Sequence, residues 1–215
     1  MTRWQISNRK FGPPPKPGAA MLYLAQVSAD ASSVLILYGK PPRLLIGMPP
    51  RPLRLTITDK NRESYKSALR VAAARWTGKD TRNAIVEYVG SGPEITRALQ
   101  SRAGSRIGTV VFVMETYIAD TYTKRSYLLP QRGNPPSGVD AQTLVSALPA
   151  SVKEVYFMAC MGVLLKGQAE RAEEDTPYSR KYVGSDKFQD LVVYPQDPRD
   201  PESAITSVDV VDQGK

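Results

Sequence analysis

From Leu53 onward the apolar positions of the chain switch regularly between short continuous runs and stretches of helical period. Leu53 to Thr58 (LRLTIT) reads as a strand. Tyr65, Ala68, Leu69, Ala72, Ala73 and Trp76 then fall on one helical face, with Gly78 as the stop. Ala84 to Val89 is a second strand. After it, Ser91 and Glu94 have capping-box spacing and Pro93 suits a first turn, ahead of Ile95, Ala98 and Leu99. Ile107 to Met114 (IGTVVFVM) is a third strand, rich in β-branched residues. Asp140 caps a short helix carrying Leu144, Val145 and Leu148. Val152 to Gly162 (VKEVYFMACMG) reads as a buried strand that delivers Cys160 to its carboxyl end, with a helix over 163–173 and a last strand at Leu191 to Tyr194. Strands separated by helices of this length predict a three-layer α/β/α fold with a mostly parallel sheet.

Upstream of this alternation the pattern is different. Residues 1–20 are basic and proline-rich, an arm or linker favouring extended polyproline conformation. Residues 21–52 hold β-like runs at Met21 to Val27, Val34 to Tyr38 and Arg43 to Met48. Their flanking prolines predict short edge strands or a hairpin, because proline cannot donate to a sheet ladder. The expected organisation is therefore an arm (1–20), short N-terminal β elements (21–52), an α/β domain (53–195) and a polar C-terminal tail (196–215).

Composition narrows the function classes. The chain has 215 residues, 41% of them hydrophobic, which fits a globular domain with a real core. A formal net charge of +8 permits an anionic partner such as nucleic acid. There is one cysteine and no histidine. That excludes an internal disulfide and the usual zinc patterns, and no cofactor is expected. No apolar stretch reaches the length of a membrane span and the N-terminus lacks a signal-peptide core, so a cytoplasmic location without membrane partners is expected.

In a parallel sheet the carboxyl ends of the strands share one edge, the default ligand site of an open α/β fold. The sequence predicts Asp59, Gly90 with Ser91, Glu115, Cys160 and, later, Gln196 with Asp197 at that edge. The two strand ends VVFVMET and VYFMACMG resemble those of the caspase-like cysteine peptidases related to clostripain, gingipain and separase. In that family one strand ends in His-Gly, a loop and helix follow, and the next strand ends in Ala-Cys or Gly-Cys. Ala159 and Cys160 match the second half of that pattern. The family's histidine falls on Glu115 and its glycine on Thr116, so the resemblance, which covers about residues 53–195, implies a caspase-like topology whose Cys-His dyad is lost. A carboxylate beside the thiol would disfavour thiolate, and a glutamate is a poorly matched base toward a thiol. Cys160 as a small buried hydrophobe is the favoured expectation over Cys160 as a nucleophile.

The connection Thr116 to Val139 reads as a long loop, and such loops are often functional. It interleaves Tyr117, Tyr122 and Tyr127 with Lys124, Arg125 and Arg132. A second cluster, Tyr178, Arg180, Lys181 and Tyr182, follows the last helix. Tyrosine with arginine suits a protein interface, or a homo-oligomer contact, slightly better than nucleic-acid binding by the same loops. The leading expectation is a non-catalytic interaction or assembly subunit. Nucleic-acid binding is one alternative, and an atypical hydrolase using Cys160, or Asp59 and Glu115 with a metal, is another. The weaker signals have bland explanations: Gly90-Ser-Gly-Pro is a tight turn with a good cap, and Asp59 or Asn61 caps the helix that follows.

Overall fold

Five parallel strands carry the fold of the computed structural model, which describes residues 33–40, 45–46, 57–120, 125–130, 138–158, 162–185, 189–200 and 202–212. The expected arm at 1–20 and the runs at 21–27 and 53–56 lie outside those residues. In chain order the strands are β1 (Ser33–Tyr38), β2 (Leu45–Ile46), β3 (Ile85–Tyr88), β4 (Ile107–Val113), β5 (Glu115–Asp120), β6 (Arg125–Leu129), β7 (Val139–Asp140), β8 (Glu154–Phe157), β9 (Lys181–Gly184), β10 (Gln189–Pro195) and β11 (Ile205–Asp212). The helices are α1 (Arg62–Thr77), α2 (Gly92–Gln100), α3 (Ala141–Ala147) and α4 (Gly162–Glu173). The central sheet runs β3-β1-β4-β8-β9, every pair parallel.

Both faces of this sheet are covered, as near-continuous apolar strands require. β1 shows the alternation: Leu35 and Leu37 join one core, Val34, Ile36 and Tyr38 the other. The first core holds Ile95 and Leu99 of α2, Leu144 and Val145 of α3, and Leu165 and Ala169 of α4. The second holds Tyr65, Leu69 and Ala72 of α1 together with Val193, Ile205 and Val208 from the outer sheet. That outer sheet has the order β11-β10-β2, and a third small sheet, β5-β6-β7, forms an antiparallel arm between β4 and α3. The three-layer α/β/α class is the one the hydrophobic pattern predicts.

Four placements differ from the expectation. Val34 to Tyr38, expected as an edge strand outside the domain, is β1, flanked on both sides by β3 and β4. The prolines that suggested an edge begin at Pro41, beyond the last paired residue, so they cost the ladder nothing. The compact unit accordingly begins at Ser33 rather than at Leu53. Residues 191–194 belong to β10 in the outer sheet, and the fifth parallel strand is the unforeseen β9. Much of the expected polar tail is β11, paired antiparallel to β10 from Ile205 to Asp212.

Candidate functional site

Each helix begins at the carboxyl edge of the parallel sheet, so its unpaired N–H groups converge there with the strand ends. The protein's own oxygens close these first turns. Before α1 the expected side-chain cap is not made: the fully buried Asn61 turns its Oδ1 back to accept from the Thr58 N–H at 2.9 Å, and the Arg62 N–H donates to the Thr58 carbonyl at 3.0 Å. Before α2 the expected capping box does not form: Ser91 makes no side-chain cap, and Glu94 Oε2 accepts instead from the N–H of Gly90, the residue before the N-cap, at 2.7 Å. Asp140 caps α3 as predicted, Oδ1 accepting from the Thr143 N–H at 2.8 Å. In α4 the Val163 N–H donates to the Ser185 carbonyl at 2.9 Å. The Glu94 carboxylate thus ties down the Gly90 turn ahead of the helix, and the Glu94 and Ile95 N–H groups both donate to the Ser91 carbonyl at 3.1 Å.

The strand order reverses between β1 and β4, where an open sheet would offer its crevice. Here the chain fills it. The Gly39 N–H donates to the Val113 carbonyl at 3.2 Å and the Lys40 N–H to the Pro130 carbonyl at 2.7 Å. A Cβ on Gly39 would overlap the Pro130 backbone, so this close approach requires glycine. Beside it Tyr38 meets Tyr65 and Tyr88 edge to face, with ring centroids 5.4 and 5.6 Å apart. Burial raises the Tyr38 phenol above its ordinary value, partly offset by the Arg62 charge and helped by Glu63 and Tyr88.

The predicted site residues separate into distinct places. Cys160, Tyr122, Lys124 and Arg132 lie outside the described residues. The frame around Cys160 is described: β8 ends at Phe157, earlier than the apolar run suggested, and α4 starts at Gly162. Gly162 and Gly184 touch backbone to backbone there, and a Cβ on either would overlap the other's chain or that of Phe157. Glu115 opens β5, opposite Leu129. Asp59 lies on the turn before α1, exposed and ion-paired with Arg62 at 2.7 Å. Among the described residues no three His, Cys, Asp or Glu side chains group as a metal site. Gln196 and Asp197 sit instead at the β10–β11 turn, where the Gln196 N–H donates to the Ala204 carbonyl at 2.7 Å and the Asp197 N–H to Ser203 Oγ at 3.1 Å.

The connection expected as a loop is largely the folded arm. Its inner face is anchored by Leu128 and Val139 in the first core, and buried Ser126 donates its N–H to Gln168 Oε1 of α4 at 3.2 Å. Tyr117 and Tyr127 are opposed across β5 and β6, with Tyr117 38% exposed, and Arg125 is exposed at the start of β6. The second cluster lies at the opposite, amino edge of the sheet. Arg180 is buried: it reaches Glu173 Oε1 at 2.9 Å, donates to the Val152 and Pro149 carbonyls at 3.3 Å, and stands 4.2 Å over the Tyr178 ring. Tyr182 is buried in the first core, stacked on Phe157 at 6.3 Å, and only Lys181 of the predicted cationic pair is exposed. No helix among the described residues is long and apolar enough to cross a membrane.

Comparison with known protein families and with curated proteins gives no match.

Proposed function

We propose that the chain is a non-catalytic α/β protein of caspase-like type that acts as an interaction or assembly subunit through the arm β5-β6-β7. The observation that carries this is the opposed pair Tyr117 and Tyr127, presented by an arm whose other face is fixed into the core. Rigid tyrosines of this kind supply contact area at small entropic cost, which is why interfaces are enriched in them. Arg125 at the same arm adds a charged, planar donor. The partner is a protein, a second copy of the chain included.

Three observations support loss of chemistry. Glu115 stands just past the end of β4, where the family resemblance would have histidine. The crevice between β1 and β4 is closed by Pro130. Asp59 is an exposed carboxylate ion-paired with Arg62 on the turn before α1, the ordinary setting of a surface acid at a helix start.

Peptide hydrolysis and partner contact test the two halves separately. Across a diverse fluorogenic peptide library no turnover is expected, and turnover that vanishes in Cys160→Ala would overturn the non-catalytic assignment. A photo-crosslinking residue placed at Tyr117 is expected to trap a partner or a second copy in the native cell, and one placed at exposed Val71 of α1 is not. Equal labelling from both positions would remove the arm as the interface.

A further inference from the structure

The edge strand β3 is sealed at both ends by the chain itself and left open between them. Val89 donates its N–H to the Tyr38 carbonyl at 3.0 Å, so the odd-numbered residues of β3 turn their backbone groups toward β1 and the even-numbered ones turn theirs away from the sheet. On that outer side the Ala84 N–H donates to the Thr81 carbonyl at 2.9 Å, and the Ala84 carbonyl accepts from Arg70 Nε at 3.0 Å. The Gly90 N–H is taken by Glu94 Oε2 at 2.7 Å. Val86 and Tyr88 lie between these closures, and among the described residues nothing bonds their N–H and C=O groups.

An open edge is a template for another strand, and native sheets blunt such edges with lysine, proline or a bulge. β3, IVEY, has none of these. Its one charge, Glu87, is tied to Arg102 at 2.5 Å. Apolar side chains stand outside instead: Ile85 is 41% exposed and Tyr88 47%, although the Tyr88 ring is held edge to face against Tyr38 at 5.6 Å.

What fits the opening is the strand itself. An antiparallel copy centred on Glu87 sets Val86 opposite Tyr88 and Tyr88 opposite Val86, each a pair that exchanges both backbone bonds, so every open group of both chains is satisfied. Centring on Val86 or on Tyr88 instead brings the closed groups of Ala84 or Gly90 into the ladder. The side chains agree with the same register. Val86 and Tyr88 share the sheet face that carries Ile36 and Tyr38, so each cross-strand pair is aromatic on β-branched, a favourable combination. On the other face Glu87 meets its own copy across the axis, and Arg102 turns two like charges into two ion pairs.

We infer that β3 is a dimerisation edge, on which a second copy of the chain pairs antiparallel about Glu87 and joins the two parallel sheets into one. Four residues a side is well below a standard interface, so the dimer exchanges with monomer rather than being permanent. β3 takes no part in the arm, so this contact stands or falls independently of the arm's role.

Sedimentation of the full chain over a range of concentrations tests it, together with cysteine cross-linking in a Cys160→Ser background, where the introduced thiol stands alone. A dimer that dissociates on dilution is expected. Glu87→Cys should form a disulfide dimer on mild oxidation, because residues opposed at a non-hydrogen-bonded position are close enough to bridge, whereas Ile85→Cys should not. Val86→Pro removes an outward N–H without touching the ladder to β1. It should weaken dimerisation about 5- to 150-fold, the worth of two backbone bonds per dimer, at little cost to thermal unfolding. Tyr88→Lys leaves the backbone intact and should weaken dimerisation in the same direction, while Tyr117→Ala on the arm should dimerise as the parent does. A chain that stays monomeric at every concentration, a dimer that survives Tyr88→Lys, or cross-linking from Ile85→Cys equal to that from Glu87→Cys would each overturn the proposal. Loss of the dimer in Tyr117→Ala would overturn it too, by moving the contact to the arm.

Discussion

Arg180 illustrates how far a side chain's neighbours decide its role. A cation between Ser179 and Lys181 looks like part of a basic surface, yet 1% of its side chain is exposed and its partner Glu173 is nearly as buried. Such a pair holds its place only because carbonyl oxygens satisfy the remaining donors. Its neighbour Tyr182 is held in its neutral form, the phenol raised first by burial and then by Glu173, with Arg180 opposing. Tyr65 is raised more strongly, by burial and by Tyr38, and Tyr38 in turn mainly by burial. All three shifts have the same sign. A phenol whose pKa is higher in the fold than in the unfolded chain contributes stability that is complete below the unfolded value, about 10, and declines as pH rises above it. The protein should therefore lose stability progressively above about pH 10, with these tyrosines ionising only as the fold opens. Circular dichroism and ultraviolet phenolate absorbance followed together would show the two changes coinciding, and Tyr65→Phe should move the alkaline midpoint upward. Complete phenolate formation with an unchanged circular dichroism spectrum would contradict it. None of this is legible at residue scale in the sequence: the apolar face containing Tyr65 predicts its burial, but nothing near Arg180 announces Glu173 as its partner.

Among the elements, the start of α4 and the end of β9 meet backbone to backbone. Gly162 meets the Phe157 carbonyl and Gly184, and Gly184 meets the Gly162 carbonyl, so helix and strand ends pack without side chains between them. Gly184→Ala has to displace backbone, and a cost of about 1–3 kcal/mol is expected, the scale of overpacking a close-packed site. Gly167, inside α4, is the control. An added Cβ there meets only Arg171 Nη1 at 3.8 Å, so Gly167→Ala should stabilise by about 0.5–1 kcal/mol through helix propensity. Urea unfolding of the two variants should give shifts of opposite sign; a common sign would mean that the close approach at Gly184 yields easily. The helices are legible because caps and period agree: the predicted face of α1 supplies Tyr65, Ala68, Leu69, Ala72 and Ala73, all buried. β9 escapes the hydrophobic pattern because its four residues hold one clear core side chain, Tyr182. The arm escapes it for another reason. Its aromatic and β-branched residues carry the strand signal, but the basic and proline-rich residues between them read as loop, although a 24-residue structureless connection in a compact domain argues against itself.

At the scale of the whole molecule, the two faces of the central sheet pose different covering problems. Five strands about 4.8 Å apart span roughly 20 Å, and one helix covers about 10 Å. Three helices suffice for the first face. Among the described residues the second has one helix, α1, and the half over β8 and β9 carries Tyr156 and Val183 into the same core. The outer sheet fills that half with Val193, Ile205 and Val208, and β11 is tied to α1 through the Ile205 N–H to Ser64 Oγ at 2.9 Å and Arg75 Nη2 to the Val208 carbonyl at 2.6 Å. A solvated tail would be dispensable, whereas a covering strand is not. A chain ending at Ala204 loses two fully packed aliphatic side chains, each worth about 1.5–3 kcal/mol, and uncovers their partners on α1 as well. Against a total stability of about 5–15 kcal/mol that leaves a marginal protein. The truncated chain should bind a hydrophobic dye and unfold well below the full chain, with a broadened transition, in calorimetry. An unchanged midpoint would mean that α1 covers its face unaided and that β11 rests on the fold without supporting it.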